Sequence, residues 1–238
     1  MNLKEIMNTN KIAFAGLLIA LGVLGRILFH DFFNNIINPI SPNELQMGLD
    51  LFFIIGGVSL FAGFLLGKYY AFIVPLCVIA CTDLFYAIVD PKTIPLWTTW
   101  LFLFTWSGYA VLALLGSFVK KKPARSLSTV PFLMGAGVLG VLFYDLWTNL
   151  GFWLTYSKMG WYPQTIEGLA TVIIGGIPSM VWHLLSISIV IGLVSVPLFV
   201  WKKQEFFTTR KTSHPAEKYV LMSCTTLLLI TSIITALL

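Results

Sequence analysis

The feature that most constrains this chain is a series of long apolar runs, each close to the length that crosses a lipid bilayer. A transmembrane helix needs about 20 mostly apolar residues. Composition agrees, because 58% of the 238 residues are hydrophobic and only 11% are charged. Inside lipid the backbone has no water to bond, so such spans fold as helices, and the chain is predicted to be an all-α polytopic membrane helix bundle. The seven runs cover about residues 12–29, 47–67, 69–89, 96–119, 131–154, 179–200 and 219–238.

These runs divide the chain into a six-helix membrane core, a basic cytoplasmic linker and an additional C-terminal transmembrane helix, at residues 1–201, 202–218 and 219–238. The stretch from Ile166 to Trp201 is apolar almost throughout, and as one helix it would measure about 54 Å against a bilayer core of about 30 Å. Gly175-Gly176 and Pro178 offer a natural break, because proline removes a backbone donor and disfavours helix at the residue before it. We therefore expect a short helix followed by a sixth span at 179–200.

The basic residues indicate how the bundle is oriented. If the N-terminus is cytoplasmic, 12 of the 15 Lys and Arg residues fall on the cytoplasmic side of the membrane, and only Arg26, Lys92 and Lys158 fall on the outer side. Cytoplasmic loops carry the excess of Lys and Arg, so we predict a cell-membrane protein with its N-terminus inside. The net charge of +5 then reflects topology, and no nucleic-acid partner is expected, because no basic groove alternates with aromatic residues. A cleaved signal peptide is disfavoured for the first run, since Arg26 stands where small residues would be expected.

Four ionisable residues fall in or beside spans on the outer side of the membrane midplane: Arg26, Asp50, Asp83 and Asp145. A charge at the centre of a span costs roughly 2.5 to 3.5 kcal/mol on insertion scales, so each needs a partner or water. The hypothesis we favour is that all four line one outward-facing cavity. The alternative is a set of separate structural pairs, such as Arg26 with Asp50.

Histidine and cysteine add fewer candidates. His30, at the end of the first span, and His183, within the sixth, are each interpreted either as substrate ligands or as hydrogen-bonded packing residues. Cys77, Cys81 and Cys224 are expected to be reduced and structural. No set of His, Cys or carboxylate residues has the spacing of a metal site, so no metal or other cofactor is expected.

The segment from Phe143 to Pro163 concentrates chemistry that indicates recognition of a ligand. Asp145 and Asn149 are four residues apart and share a face of a helix. Trp153 and Tyr162 follow in a stretch with too many aromatic residues to serve only as an interfacial anchor. A carboxylate beside several rings is suited to a small, flat, polar molecule.

The first span also carries a small-residue face formed by Gly16 and Ala20. Such a face lets helices approach closely, either within the bundle or against a partner. A six-helix core, this face and a long first outer loop together resemble the substrate-binding S component of energy-coupling factor (ECF) vitamin transporters. The closest similarity, to a poorly characterised branch of that group, is carried by Thr148-Asn149-Leu150-Gly151-Phe152-Trp153-Leu154, Tyr162-Pro163-Gln164-Thr165, Gly168-Leu169 and Ile177-Pro178.

The resemblance implies a protein that captures a vitamin or vitamin precursor from the outer side and delivers it by docking to a coupling subunit driven by two ATPases. Gly16 and Ala20 stand where the family carries its Ala-xxx-Ala docking face. The chain has no GxxxxGK[ST] phosphate loop, so ATP hydrolysis would come from the partners. Cobalamin or one of its fragments is the first ligand that the resemblance suggests.

Each candidate residue then has an expected role. Asp145 and Asn149 would hydrogen-bond the ligand, Trp153 and Tyr162 would stack on it, and Arg26 with Asp83 would complete the polar wall. The loop from His30 to Gln46 would close over the pocket. The chain is not expected to be an enzyme. The alternatives are an independent secondary carrier and an intramembrane enzyme that acts on a lipid or isoprenoid, with outer carboxylates as acid and base.

Overall fold

The protein is a multi-pass helical membrane protein. Its computed structural model describes residues 3–37, 54–67, 69–89, 100–119, 127–200 and 215–237. Every regular element in these ranges is helical, which confirms the all-α prediction, and five of the helices are long and apolar enough to span a membrane. The helices are α1 Leu3–Ile37, α2 Ile54–Phe61 with a π-helical continuation Ala62–Leu66, α3 Tyr70–Val89, α4 Leu101–Val119, α5 Val130–Lys158, α6 Ile166–Val200 and α7 Pro215–Leu237.

The short α2 lies at the centre of the bundle. Its residues from Ile55 to Phe61 are all buried, and α3, α4, α5 and α6 pack around it. Its π-helical end crosses α4 at two glycines. A Cβ atom on Gly63 would collide with the backbone of Ala113, and one on Gly116 with the backbone of Leu60. Glycine at both positions therefore lets the two helix backbones touch.

The predicted break in the sixth span is wrong, because α6 runs without interruption through Gly175, Gly176 and Pro178. Gly175 and Pro178 lie on the exposed side of the helix, away from the packed face. Proline is tolerated in transmembrane helices when the rest of the helix and its neighbours still satisfy the backbone. At 35 residues, or about 52 Å, α6 exceeds the hydrocarbon core, so it tilts or extends beyond the core.

The first loop begins later than predicted. Helix α1 continues past residue 29 to Ile37, so His30 lies within the helix and not at the start of a loop. His30, Asp31, Asn34 and Asn35 make this extension half polar, but it contains no proline or glycine, and Pro39 is the first strong helix breaker. The rest of the predicted lid, residues 38–46, lies outside the described residues, as do Asp50 and most of the linker at 202–218.

The C-terminal helix α7 begins at Pro215, a residue type that favours the first turn of a helix, and packs against α4 and α5. The hydroxyls of Ser107 on α4 and Ser232 on α7 are 3.3 Å apart, and both side chains are fully buried. The seventh helix is therefore joined to the bundle by a buried polar contact on the α4 side.

Candidate substrate-binding site

The central polar contact of the bundle joins α5 to α6. Asp145 Oδ1 lies 2.7 Å from His183 Nδ1, and the two residues are 5% and 8% exposed. Because a carboxylate oxygen only accepts, Nδ1 donates this hydrogen bond whether the ring is neutral or charged. The sequence identified both residues as candidates but did not predict that they would pair.

The second carboxylate oxygen of Asp145 does not take part in this hydrogen bond. Among the described residues, Oδ2 is buried and has no hydrogen-bond partner. A buried acceptor left unsatisfied costs about 1 to 3 kcal/mol, and more if it is charged. Trp106 Nε1 and Ser195 Oγ are also unpartnered in this part of the chain, but they are neutral groups with a smaller penalty. Of these three atoms, Asp145 Oδ2 is the most costly to leave without a hydrogen bond, and it lies beside a histidine.

Asn149 lies one turn further along α5 and faces the same neighbour. A Cβ atom on Gly176 would overlap the Asn149 carboxamide, so the half-buried amide rests against the α6 backbone. Asp145 and Asn149 therefore share the face of α5 that packs on α6. In the sequence Gly176 was interpreted as part of a helix break, whereas in the structure it makes room for the amide.

Two tyrosines extend this polar layer to α4. The Tyr144 hydroxyl donates to the Tyr109 hydroxyl at 3.1 Å, and the ring of Tyr144 meets that of His183 edge-on, with centroids 6.2 Å apart. Both tyrosines are buried. Neither tyrosine was predicted from the sequence, although a tyrosine in the middle of an apolar span is itself a signal, because its buried hydroxyl needs a partner.

A second polar cluster joins α1 to α3. Arg26 Nη1 lies 3.7 Å from Asp83 Oδ1 and donates to Thr82 Oγ1 at 2.9 Å. Arg26 thus meets Asp83, and its alternative partner Asp50 lies outside the described residues. Thr82 was not identified from the sequence. One cavity that joins this cluster to the Asp145–His183 pair stays a prediction.

The aromatic residues divide between two surroundings. Trp153 Nε1 donates to the carbonyl oxygen of Pro163 at 3.0 Å, and the ring centroids of Tyr162 and Phe152 are 5.9 Å apart in an edge-on contact. Of the two predicted stacking residues, Trp153 therefore lies near the C-terminal end of α5 and Tyr162 in the segment that follows it. Trp147 instead faces α4, where its Nε1 donates to Ser107 Oγ at 2.7 Å. Stacking of Trp153 and Tyr162 on a ligand stays a prediction.

The small-residue face of α1 points away from the bundle. Gly16 and Ala20 are both exposed, and a Cβ atom on Gly16 would meet nothing within 4 Å. The alternative that this face packs within the bundle is therefore wrong. The glycines of α1 that do face the bundle are Gly22, against Val78, and Gly25, against Ile54.

His30 is placed only by its backbone, within α1. In the described ranges no group of three or more His, Cys, Asp or Glu side chains is arranged to hold a metal ion. Cys77, Cys81 and Cys224 are free thiols.

Comparison with known proteins identifies the family of the chain. A family model described as "Family of unknown function (DUF6580)" matches residues 7–208, which is most of the chain. No curated protein and no solved structure matches it.

Proposed function

The chain belongs to the DUF6580 family, and we propose that it is the membrane-embedded substrate-capture component of an ECF-type vitamin importer. In this proposal it binds a vitamin or vitamin precursor from the outside, at a pocket beside Asp145, His183 and Asn149. It then delivers the ligand by docking to a coupling subunit that works with two ATPase subunits. The N-terminus is cytoplasmic, and the Arg26–Asp83 cluster contributes to the polar wall.

The observation that carries the proposal is the vacant, buried oxygen of Asp145. Ionisable residues within membrane spans are costly and are commonly functional. A pair that served only to hold α5 against α6 would gain nothing from an unsatisfied carboxylate oxygen, since well-packed apolar residues stabilise such a contact as well or better. A ligand that donates to Oδ2 would remove the penalty, so binding is favoured at this atom.

The exposed face of α1 supports the docking step. Gly16 and Ala20 leave a shallow surface on which another helix can approach closely. Among the described residues, the additional helix α7 packs mainly on α4 and α5, whereas α1 packs mainly on α2 and α3, so α7 does not cover the exposed face of α1. A partner therefore has access to the α1 face while α7 is in place.

The continuous α6 also weighs against an independent carrier. Secondary carriers commonly bind substrate where spans are interrupted near the midplane. The interruption that the sequence indicated at Gly175–Pro178 is a continuous helix.

The test is a ligand screen on the purified, detergent-solubilised protein, with intrinsic tryptophan fluorescence followed as B-type vitamins and their precursors are added. We expect one compound to cause tight, saturable quenching that is lost in Asp145→Ala and weakened in Trp153→Ala. Glu167→Gln, an exposed carboxylate at the start of α6, is the matched control and should bind as the wild type does. If no compound changes the fluorescence of a folded protein, substrate capture loses its support.

Uptake of the identified compound then separates the three classes of function. Uptake by a capture component stops when the partner ATPases are inactivated. An independent carrier continues to transport under the same conditions, and an intramembrane enzyme converts the compound to a product.

A further inference from the structure

The hydrogen-bonding capacity around Asp145 restricts the chemistry of the ligand. An ionised carboxylate accepts hydrogen bonds and donates none. Oδ1 already accepts from His183 Nδ1, whereas Oδ2 has no partner among the described residues. A ligand atom that reaches Oδ2 must therefore carry a hydrogen to donate.

Within the described ranges, the ring N–H and hydroxyl groups beside the pair already donate to protein acceptors, and the Asn149 carboxamide is neutral. His183 Nδ1 is committed to Oδ1, and the Ser186 hydroxyl donates to the carbonyl oxygen of His183 at 3.0 Å. The Thr148 hydroxyl donates to the carbonyl oxygen of Tyr144 at 2.9 Å. The Arg26 guanidinium is bound to α3, where it contacts the Asp83 carboxylate and donates to the Thr82 hydroxyl. A ligand carboxylate or phosphate beside Asp145 would thus meet a buried like charge.

Asn149 adds a side chain that can both donate and accept a hydrogen bond. It lies four residues, or about 6 Å, along α5 from Asp145. A flat ligand with an N–H group at one end and a mixed donor and acceptor edge about 6 Å away would satisfy both side chains.

We propose that the group of the ligand that binds Asp145 is a neutral or cationic N–H or O–H donor, such as an amine, an amidine or an amino-substituted ring, and that anionic groups are excluded from this position. The inference rests on the proposed capture function, because it concerns the same site. It adds the chemical class of the substrate, which the membrane setting and the family do not specify.

Three flat probes of nearly equal shape test the class: benzamidine, a cationic donor; benzamide, a neutral donor; and benzoate, an anion without a donor. Each is titrated at millimolar concentrations into the full-length protein, with tryptophan fluorescence and thermal stability as readouts. We expect benzamidine to bind most tightly, benzamide more weakly and benzoate not at all. A hydrogen bond to a charged group corresponds to about a 10- to 150-fold change in affinity, so Asp145→Asn should weaken benzamidine by that factor while Glu167→Gln leaves it unchanged.

The outcomes separate this inference from the proposed function. Binding of benzoate as tight as that of benzamidine, or no binding of any probe to the wild type, overturns the donor class, whatever the vitamin screen finds. This comparison uses the wild type alone, so it holds even if Asp145→Asn does not fold. If benzamidine binds and depends on Asp145 while no vitamin or precursor binds, the donor class stands and vitamin capture fails.

Discussion

Removing one partner of the Asp145–His183 pair should destabilise the protein far more than removing both. In His183→Leu, Oδ1 also loses its partner, so both oxygens of a carboxylate that is only 5% exposed lack a hydrogen bond among the described residues. Removing one partner of a buried salt bridge costs about 3 to 5 kcal/mol because it leaves an uncompensated buried charge, and a lone Asp145 carboxylate is such a charge whether or not His183 is protonated in the wild type. Replacing both partners by apolar residues of similar volume is often neutral or stabilising, so Asp145→Val/His183→Leu should approach the stability of the wild type.

The expected shifts in melting temperature follow from these energies. In a protein of this size 1 kcal/mol corresponds to about 2 to 4 °C, so His183→Leu should lower the melting temperature by about 6 to 20 °C. Asp145→Val leaves a histidine donor without its acceptor, which costs about 1 to 3 kcal/mol, or about 2 to 12 °C. The double variant should melt within a few degrees of the wild type.

Thermal unfolding of the four purified proteins in one detergent completes a double-mutant cycle and isolates the energy of the pair. The double variant should also fail to bind ligand, because it lacks the vacant oxygen, and so it separates folding from capture. Additive losses in the two single variants, or a His183→Leu protein as stable as the wild type, would refute the reasoning.

Two further predictions concern surfaces away from the pair. Ala20→Trp should abolish co-purification with the coupling subunit and leave the melting temperature unchanged, because the bulky ring blocks the small-residue face. The control Ala170→Trp, at an exposed position of α6, should co-purify normally. If both variants retain the coupling subunit equally, α1 has no docking role. Ser107→Ala should lose its contacts with Trp147 and Ser232, which should lower stability by about 1 to 3 kcal/mol and speed hydrogen exchange in α7. Ser117→Ala is the control and should change neither, because among the described residues the Ser117 hydroxyl bonds within α4, to the carbonyl oxygen of Leu114.

The sequence was sufficient to predict the all-α class and the five long apolar spans, whereas the predicted runs at 47–67 and 219–238 correspond to shorter apolar helices, Ile54–Leu66 and Met222–Leu237. It was not sufficient to predict where the helices are continuous. Length and apolar content identify a membrane helix, because lipid leaves the backbone no other way to satisfy its hydrogen bonds. The same constraint keeps α6 helical across Pro178, where rules drawn from water-exposed helices indicated a stop. The extension of α1 to Ile37 has a different origin, since residues 30–37 are half polar but contain no proline or glycine before Pro39.

Which residues share a face was predictable, and which residues meet across helices was not. Asp145 and Asn149 lie on one face because they are four residues apart. The contact of Asp145 with His183 depends on how two helices align, and no local pattern specifies that alignment. The outward direction of Gly16 was also left open, because in a membrane helix the lipid side and the packed side are both apolar.

The most direct test of substrate capture at Asp145 is native mass spectrometry of the purified protein after incubation with a mixture of B-type vitamins and their precursors. We expect one added mass at a ratio of one ligand per protein, absent from Asp145→Ala and present in Glu167→Gln. The compound with that mass should carry an N–H or O–H donor. A ligand that remains bound to Asp145→Ala, or a wild type that binds none of the compounds, would contradict capture at this site.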